Sequence, residues 1–294
     1  DSDALKRGNF ASNYWKGLLP LLEKQKIKSN WLHFYISSDL LPNSKTAGSA
    51  IKWFNKSYNG EQVHVTLYSF LSVKLVLSVI LDWCQLLRLK TTLKETIEQI
   101  SGPYWPLLRD DFFSSLTGIT AMSNLLYLHL FEEAISSLQK QMRGFYLQEN
   151  QVWEWGLVHA WRTTNHFNNL IGIPHTTVIY WNLRYFFDSR TYMQQDKLAL
   201  PLPDKVGVNG EVAKKRYMEG GYPISDIIEV EALRFLHLNS LKKKYFKKEH
   251  EVEKRRTLLV LSDYLPGNVE MQMKLLQDAS NQVRNEIKYV IKPH

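Results

Sequence analysis

The stretch GFYLQENQVWEW, residues 144–155, decides the fold. Gly144 to Leu147 reads as a short buried strand. From Trp153 to Thr164 the apolar spacing becomes helical. The next apolar run, Asn169 to Ile173, supplies a second strand, so strand, helix and strand follow with short polar joints. That is the pattern of a parallel βαβ unit.

The same alternation extends outward. Downstream, Lys205 to Val208 reads as a strand, Glu211 to Met218 as a helix and Ile227 to Val230 as a strand. Beyond a charged run, Thr257 to Ser262 and Ile287 to Ile291 read as strands around a helix over Val269 to Val283. Upstream, Trp31 to Ile36 reads as a strand and Ala47 to Phe54 as a helix. Val65 to Ile100 reads as one or two long helices, broken at Gly102-Pro103. Phe112 to Lys140 is a further helical region. The class is α/β with parallel sheets, and no internal repeat is present. The seam lies in the charged run. Residues 1–240 form a first domain, 241–256 a charged linker, and 257–294 the beginning of a second domain. The strand pattern still running at His294 reads as a fragment end.

Composition narrows the class. Of the 294 residues, 37 are basic and 29 acidic, a formal charge of +8 that favours anionic partners. Much of it sits in LKKKYFKKEHEVEKRR, residues 241–256, read either as a solvated face or as a hinge or contact with an anionic membrane. No nucleic-acid recognition motif accompanies the charge. The single Cys84, in an apolar run, reads as a buried thiol in a reducing compartment. The N-terminus has no apolar leader, which points to a cytoplasmic protein. The most apolar stretch, Val65 to Leu89, contains Lys74, Asp82 and Arg88. It reads as a buried helix rather than a span, with peripheral membrane contact as the alternative.

Five clusters could carry chemistry, one of them Gly220-Gly-Tyr-Pro223 followed by Glu229, Glu231 and Arg234. Glu149 falls at the carboxyl end of a strand, where ligands of α/β sheets bind, and Glu154 in the first turn of the next helix. Either could take a proton from a hydroxyl if burial raises its pKa. Alternatively, Glu149 caps that helix and Glu154 complements its dipole. His175 and Thr176 follow the next strand, His175 as general base, anion donor or structural hydrogen-bonder. Aromatics and arginines, among them Trp153, Trp181, Arg184 and Arg190, suit an acceptor subsite, or a packed loop with an Arg–Asp pair. Asn209-Gly210 opens a strand-to-helix turn and exposes amides. Lys292 and His294, flanking Pro293, suit a phosphate. The pair Asp110-Asp111 reads as a helix cap. Phosphate-loop, dinucleotide, serine-hydrolase and zinc-protease motifs are absent, and the scattered histidines do not make a metal site.

Taken in order, NWLH at 30–33, YLQENQVWE at 146–154, IPHTTVIYWNLRYFFDSR at 173–190, LPDKVGVNGE at 202–211 and GYP at 221–223 with VEALRFLHL resemble a family of bacterial surface-carbohydrate (O-antigen-cluster) biosynthesis proteins. The last third also resembles the wider GT-B group of CDP-glycerol glycerophosphotransferases, capsule Kdo transferases and bacterial sialyltransferases. The resemblance implies a GT-B glycosyltransferase with a Rossmann-like first domain and the start of a second. It implies no cofactor, a CMP-, CDP- or UDP-linked sugar as donor and a glycan or lipid-linked acceptor at the inner membrane. It assigns Glu149 as general base, His175 to the cleft, and Lys292 and His294 to the donor's phosphate. Metal-independent displacement at an anomeric carbon follows. The alternatives are a nucleotide-sugar epimerase and a non-catalytic glycan-binding fragment.

Overall fold

A computed structural model describes residues 2–164, 169–174, 176–178, 182–192, 200–236, 238, 256–282 and 287–292. The chain forms two compact units, Asp1–Leu236 and His237–His294.

In the first unit, helices α1 (Ser2–Lys6) and α2 (Leu18–Lys24) precede strand β1 (Ser29–His33). Helix α3 (Ser44–Tyr58) crosses over to β2 (Gln62–Thr66), which pairs with β1 in parallel, Trp31 opposite His64. Asn43 starts α3 by accepting the Thr46 amide at 2.9 Å. Three helices follow: α4 (Val73–Ser101), α5 (Trp105–Thr117) and α6 (Ile119–Ser136). A second sheet is built from β3 (Gly144–Gln148), β4 (Leu170–Pro174), β5 (Lys205–Val208) and β6 (Ile227–Glu229), all parallel and side by side in chain order. Helix α7 (Val152–Thr163) joins β3 to β4, and α8 (Glu211–Glu219) joins β5 to β6.

The sheets come together near β1 and β3. Asn30 donates to Gln141 at 3.2 Å just ahead of β3, and Phe34, just past β1, lies 4.8 Å from the Trp153 ring at the start of α7. Chain order runs outward from this seam in both directions, the geometry in which parallel α/β sheets open a ligand crevice. One core lies under α4, α6 and α7, with Leu130, Phe131, Val158 and Leu170 buried. A second surrounds Val206, Val208 and Tyr217.

Two helical expectations are corrected. Residues 62–66, partly inside the run read as helix, form β2. The alternation there is inverted: Gln62 and His64 face inward at 2% and 1% exposure while Val63 is 44% exposed. A pattern search that expects apolar residues inside has nothing to find. The region 112–140 is two helices, parted at Gly118 in extended conformation. Asp110 and Asp111 lie inside α5 rather than capping a helix, and Asp110 pairs with Arg109. Cys84 is half-buried rather than enclosed.

The second unit is one βαβ turn: β7 (Arg256–Leu261), α9 (Pro266–Gln282) and β8 (Ile287–Lys292), with β7 parallel to β8. Asp263 holds the Tyr264 amide at 2.6 Å ahead of α9, which begins at a proline. Among the described residues, no helix is long and apolar enough to cross a membrane.

Candidate functional site at the carboxyl edge of the second sheet

Strand β3 ends at Gln148, and its last side chain is tied down. Gln148 is 5% exposed, and its Oε1 accepts the Tyr217 hydroxyl of α8 at 3.2 Å. A buried amide needs such a partner. Glu149 follows, half-buried. Asn150 then takes φ 55°, the left-handed conformation that asparagine tolerates better than most residues. Gln151 is the N-cap of α7.

The left-handed step curls consecutive amides around one point, forming an anion-binding nest. Glu154 fills it from within. Its Oε1 accepts the Glu149 amide at 2.7 Å and the Gln151 amide at 2.8 Å. Reaching back from the third helical position to the N-cap amide is half of a capping box. Only 3% of Glu154 is exposed. Burial pushes its carboxyl up to about 7, and the Glu149 charge adds to this while the backbone amides oppose it.

This corrects the reading of both acids. Glu154 is an internal carboxyl that shapes the turn, so it is not placed to meet a substrate. Glu149 does not cap α7, because Gln151 does. What remains at the strand end is the Glu149 side chain, with its own backbone clamped by Glu154. Arg184 approaches the same spot, its Nη1 3.5 Å from the Glu149 carbonyl oxygen. Arg184 belongs to a turn over Leu183–Tyr185 that is anchored by buried Tyr185, whose ring lies 5.2 Å from Tyr217. Burial raises Tyr146, Tyr185, Tyr217 and Tyr222 above the usual phenol value, so they act as neutral donors.

Thr176 lies exposed two residues past β4, and Asn209 and Gly210 lie exposed past β5. Adjacent strands thus bring Glu149, Thr176 and Asn209 to one edge of the sheet. Gly210 precedes α8 without a side-chain cap. Two acceptor-side expectations are corrected. Trp153 packs inward against Phe34, Phe131 and Tyr146. Arg190 forms the Arg–Asp pair, gripping Asp188 at 2.8 and 2.9 Å and holding that carboxyl well below the usual range. Lys292 is the exposed last residue of β8 in the second unit. His175, Trp181 and His294 lie outside the described residues. Sequence reasoning passed over Gln148, Asn150 and Tyr217. The polar Gln-Glu-Asn run straight after an apolar strand was the only signal for Gln148 and Asn150, and nothing marked Tyr217.

Among the described residues, no group of three or more histidine, cysteine or acidic side chains could hold a metal ion. A polar cavity of about 370 Å³ opens at the other end of α7, between α4, α6 and α7. There His129 bridges Asp82 at 2.8 Å and Glu132 at 3.1 Å. It is separate from the strand-end cluster, because its lining includes the last turn of α7 and Glu154 sits in the first.

The architecture is α/β with parallel sheets, compatible with a Rossmann-like fold. No protein-family model matches the chain, and no curated protein matches it significantly.

Proposed function

We propose that this chain is part of a GT-B glycosyltransferase that moves a sugar from a nucleotide-sugar donor to a surface-polysaccharide or lipid-linked acceptor at the cytoplasmic face of an inner membrane. The observation that carries the reading is Glu149. It is a half-buried carboxylate at the carboxyl end of a parallel strand, with its backbone fixed by Glu154. A general base must be held still and within reach of its proton, and this acid has a rigid mount.

In the proposed reaction a Glu149 oxygen takes the proton of the acceptor hydroxyl. The freed oxygen bonds to the anomeric carbon as the bond from that carbon to the nucleotide phosphate breaks, and the electron pair leaves with the phosphate. Arg184, beside the base, supplies a fixed positive charge near the acceptor. The family resemblance assigns the donor's phosphate to Lys292 and His294.

The experiment is a panel of CMP-, CDP- and UDP-linked sugars. Donor binding is read as a rise in melting temperature and turnover as nucleotide release, with water as the default acceptor. Glu149→Gln retains the donor's thermal shift and loses turnover by about a hundredfold or more. Turnover unchanged in Glu149→Gln removes the base from this reading.

A further inference from the structure

The polar cavity of about 370 Å³ lies where α4 begins and where α6 and α7 end. Leu75 and Ala160, both buried in the core, supply its apolar lining. Its wall is held by His129, which bonds Asp82 of α4 at 2.8 Å and Glu132 of α6 at 3.1 Å. Glu132 in turn lies 3.8 Å from His159 of α7. One network thus ties three helices together, so the cavity is formed before any ligand arrives. Its size falls within the range of small-molecule sites.

The helices bring charges of opposite sign to it. From α6 and α7 come Glu132, Glu133 and two helix ends whose carbonyls carry partial negative charge. The hydroxyls on these two helices add acceptors. Ser136 donates to the Glu133 carbonyl at 3.1 Å, and Thr163 and Thr164 donate to the Ala160 carbonyl at 3.1 and 2.9 Å. Their protons are committed and their lone pairs remain. From α4 come Lys74, in the first turn, and Ser78 one turn on. A cation in a first turn opposes the dipole of its own helix, so Lys74 adds nothing to α4 itself. Among the described residues, Lys74 and Glu133 form no ion pair, although both are exposed and line the same cavity. A purely anionic ligand would meet two glutamates there, and a purely cationic one would meet Lys74. A molecule that carries both charges satisfies both helices.

We propose that this cavity binds a small zwitterion, an amino acid whose ammonium group lies on Glu132, Glu133 and the neighbouring hydroxyl oxygens and whose carboxylate lies on Lys74 and Ser78. An ammonium brings three donors to a wall of acceptors, and the lysine brings a cation to the carboxylate. The inference stands on the cavity and does not require the glycosyltransferase reading. Amino-acid binding and sugar transfer are measured separately, so either can fail alone.

The test is calorimetric titration of the intact chain with glycine, β-alanine and γ-aminobutyrate, which set the two charges progressively further apart. Butylamine and butyrate, each keeping one charge, are the controls. The best-spaced amino acid binds about tenfold or more tightly than either control. Lys74→Gln and Glu133→Gln each weaken that binding by about tenfold or more. Both leave the melting temperature in place, because both side chains are exposed. Absence of binding by the whole series at millimolar concentration overturns the proposal. So does either control binding as tightly as the amino acids, which would make the cavity a site for one charge only. Unchanged affinity in both variants places the ligand elsewhere and overturns it as well.

Discussion

The carboxylate of Glu154 holds the backbone amide of Glu149 at 2.7 Å, so one buried acid sets the position of the next acid along the turn. The same oxygen holds Gln151 at 2.8 Å. An amide nest after a strand is where a Rossmann-like fold receives a ligand phosphate. Here a side chain of the same protein occupies it, and Glu149 stands half-buried beside it at the strand end.

Glu154 gives stability a signed pH dependence. Its folded value is about 7 against an ordinary 4.5. Between these limits the folded chain keeps a proton that the unfolded chain has lost. Its stabilisation is therefore fully present below pH 4.5 and is lost as pH rises through 7, by about 3 kcal/mol at most. Glu154→Gln keeps an acceptor oxygen for both amides and removes that fall. Glu154→Ala also removes that fall but loses the acceptor, so it costs about 2 kcal/mol at pH 5 and less as pH rises through 7. Urea midpoints at pH 5 and pH 7.5 check this. Equal slopes in wild type and Glu154→Gln would clear Glu154 of any part in it.

His33 and His64 give the opposite slope. Their rings stack, with His33 Nε2 3.0 Å from His64 Nδ1, and His64 is 1% exposed. Burial lowers both from 6.5 to about 4, and the His33 charge lowers His64 further. Their aromatic surroundings, Phe10, Trp31, Phe54 and Tyr58, offer no counter-charge. Over pH 6.5 to 4 the unfolded chain takes up protons that the folded one refuses. Stability is present above 6.5 and lost as pH falls towards 4, by about 3 kcal/mol for His64. His64→Phe keeps the ring contacts and makes this acid limb shallower, leaving the part due to His33. Denaturant titrations from pH 4 to pH 7 show it, and an unchanged limb would place the titrating group elsewhere.

The downstream strands were legible because they are apolar runs bounded by turns. Strand β4, Leu170–Pro174, is the clearest, with four of its five residues buried. Strand β2 was not, since its inward residues are a glutamine and a histidine that only a tertiary partner can satisfy. The His64 ring has one in His33, Nδ1 to Nε2 at 3.0 Å, while Asn55 bonds the backbone amide and carbonyl of the same residue. At the site, the residue types at 149 and 154 were readable from position, but their roles were not. Which acid turns inward depends on the left-handed φ of Asn150, and no side-chain periodicity records a backbone angle.

That angle makes Asn150 a sensitive position. Its φ of 55° disfavours side chains other than Asn, Asp and Gly, and its side chain also meets Gln148 at 3.5 Å. Asn150→Gly loses the side-chain contacts but accepts the angle. Asn150→Ala loses both and falls below Asn150→Gly by about 1 kcal/mol. Thermal melts should rank wild type, glycine and alanine in that order. Alanine melting at or above glycine would mean that the turn is not left-handed at 150.

Gly220 and Gly267 separate the two units experimentally. A Cβ on Gly220 would lie 1.8 Å from the Tyr185 carbonyl oxygen. That segment cannot retreat, because Tyr185 is buried against Tyr217 and the Phe187 amide bonds the Gly220 carbonyl at 2.7 Å. Gly220→Ala therefore costs about 3 kcal/mol or more and displaces Arg184 from Glu149. A Cβ on Gly267, in the first turn of α9, meets nothing within 4 Å. Alanine there stabilises α9 by about 0.5 kcal/mol or more. All nine tryptophans precede residue 237, so their fluorescence reports the first unit alone. Gly220→Ala lowers the fluorescence midpoint. Gly267→Ala leaves it in place and slows amide exchange in α9. A fluorescence shift from Gly267→Ala would show that the two units unfold as one.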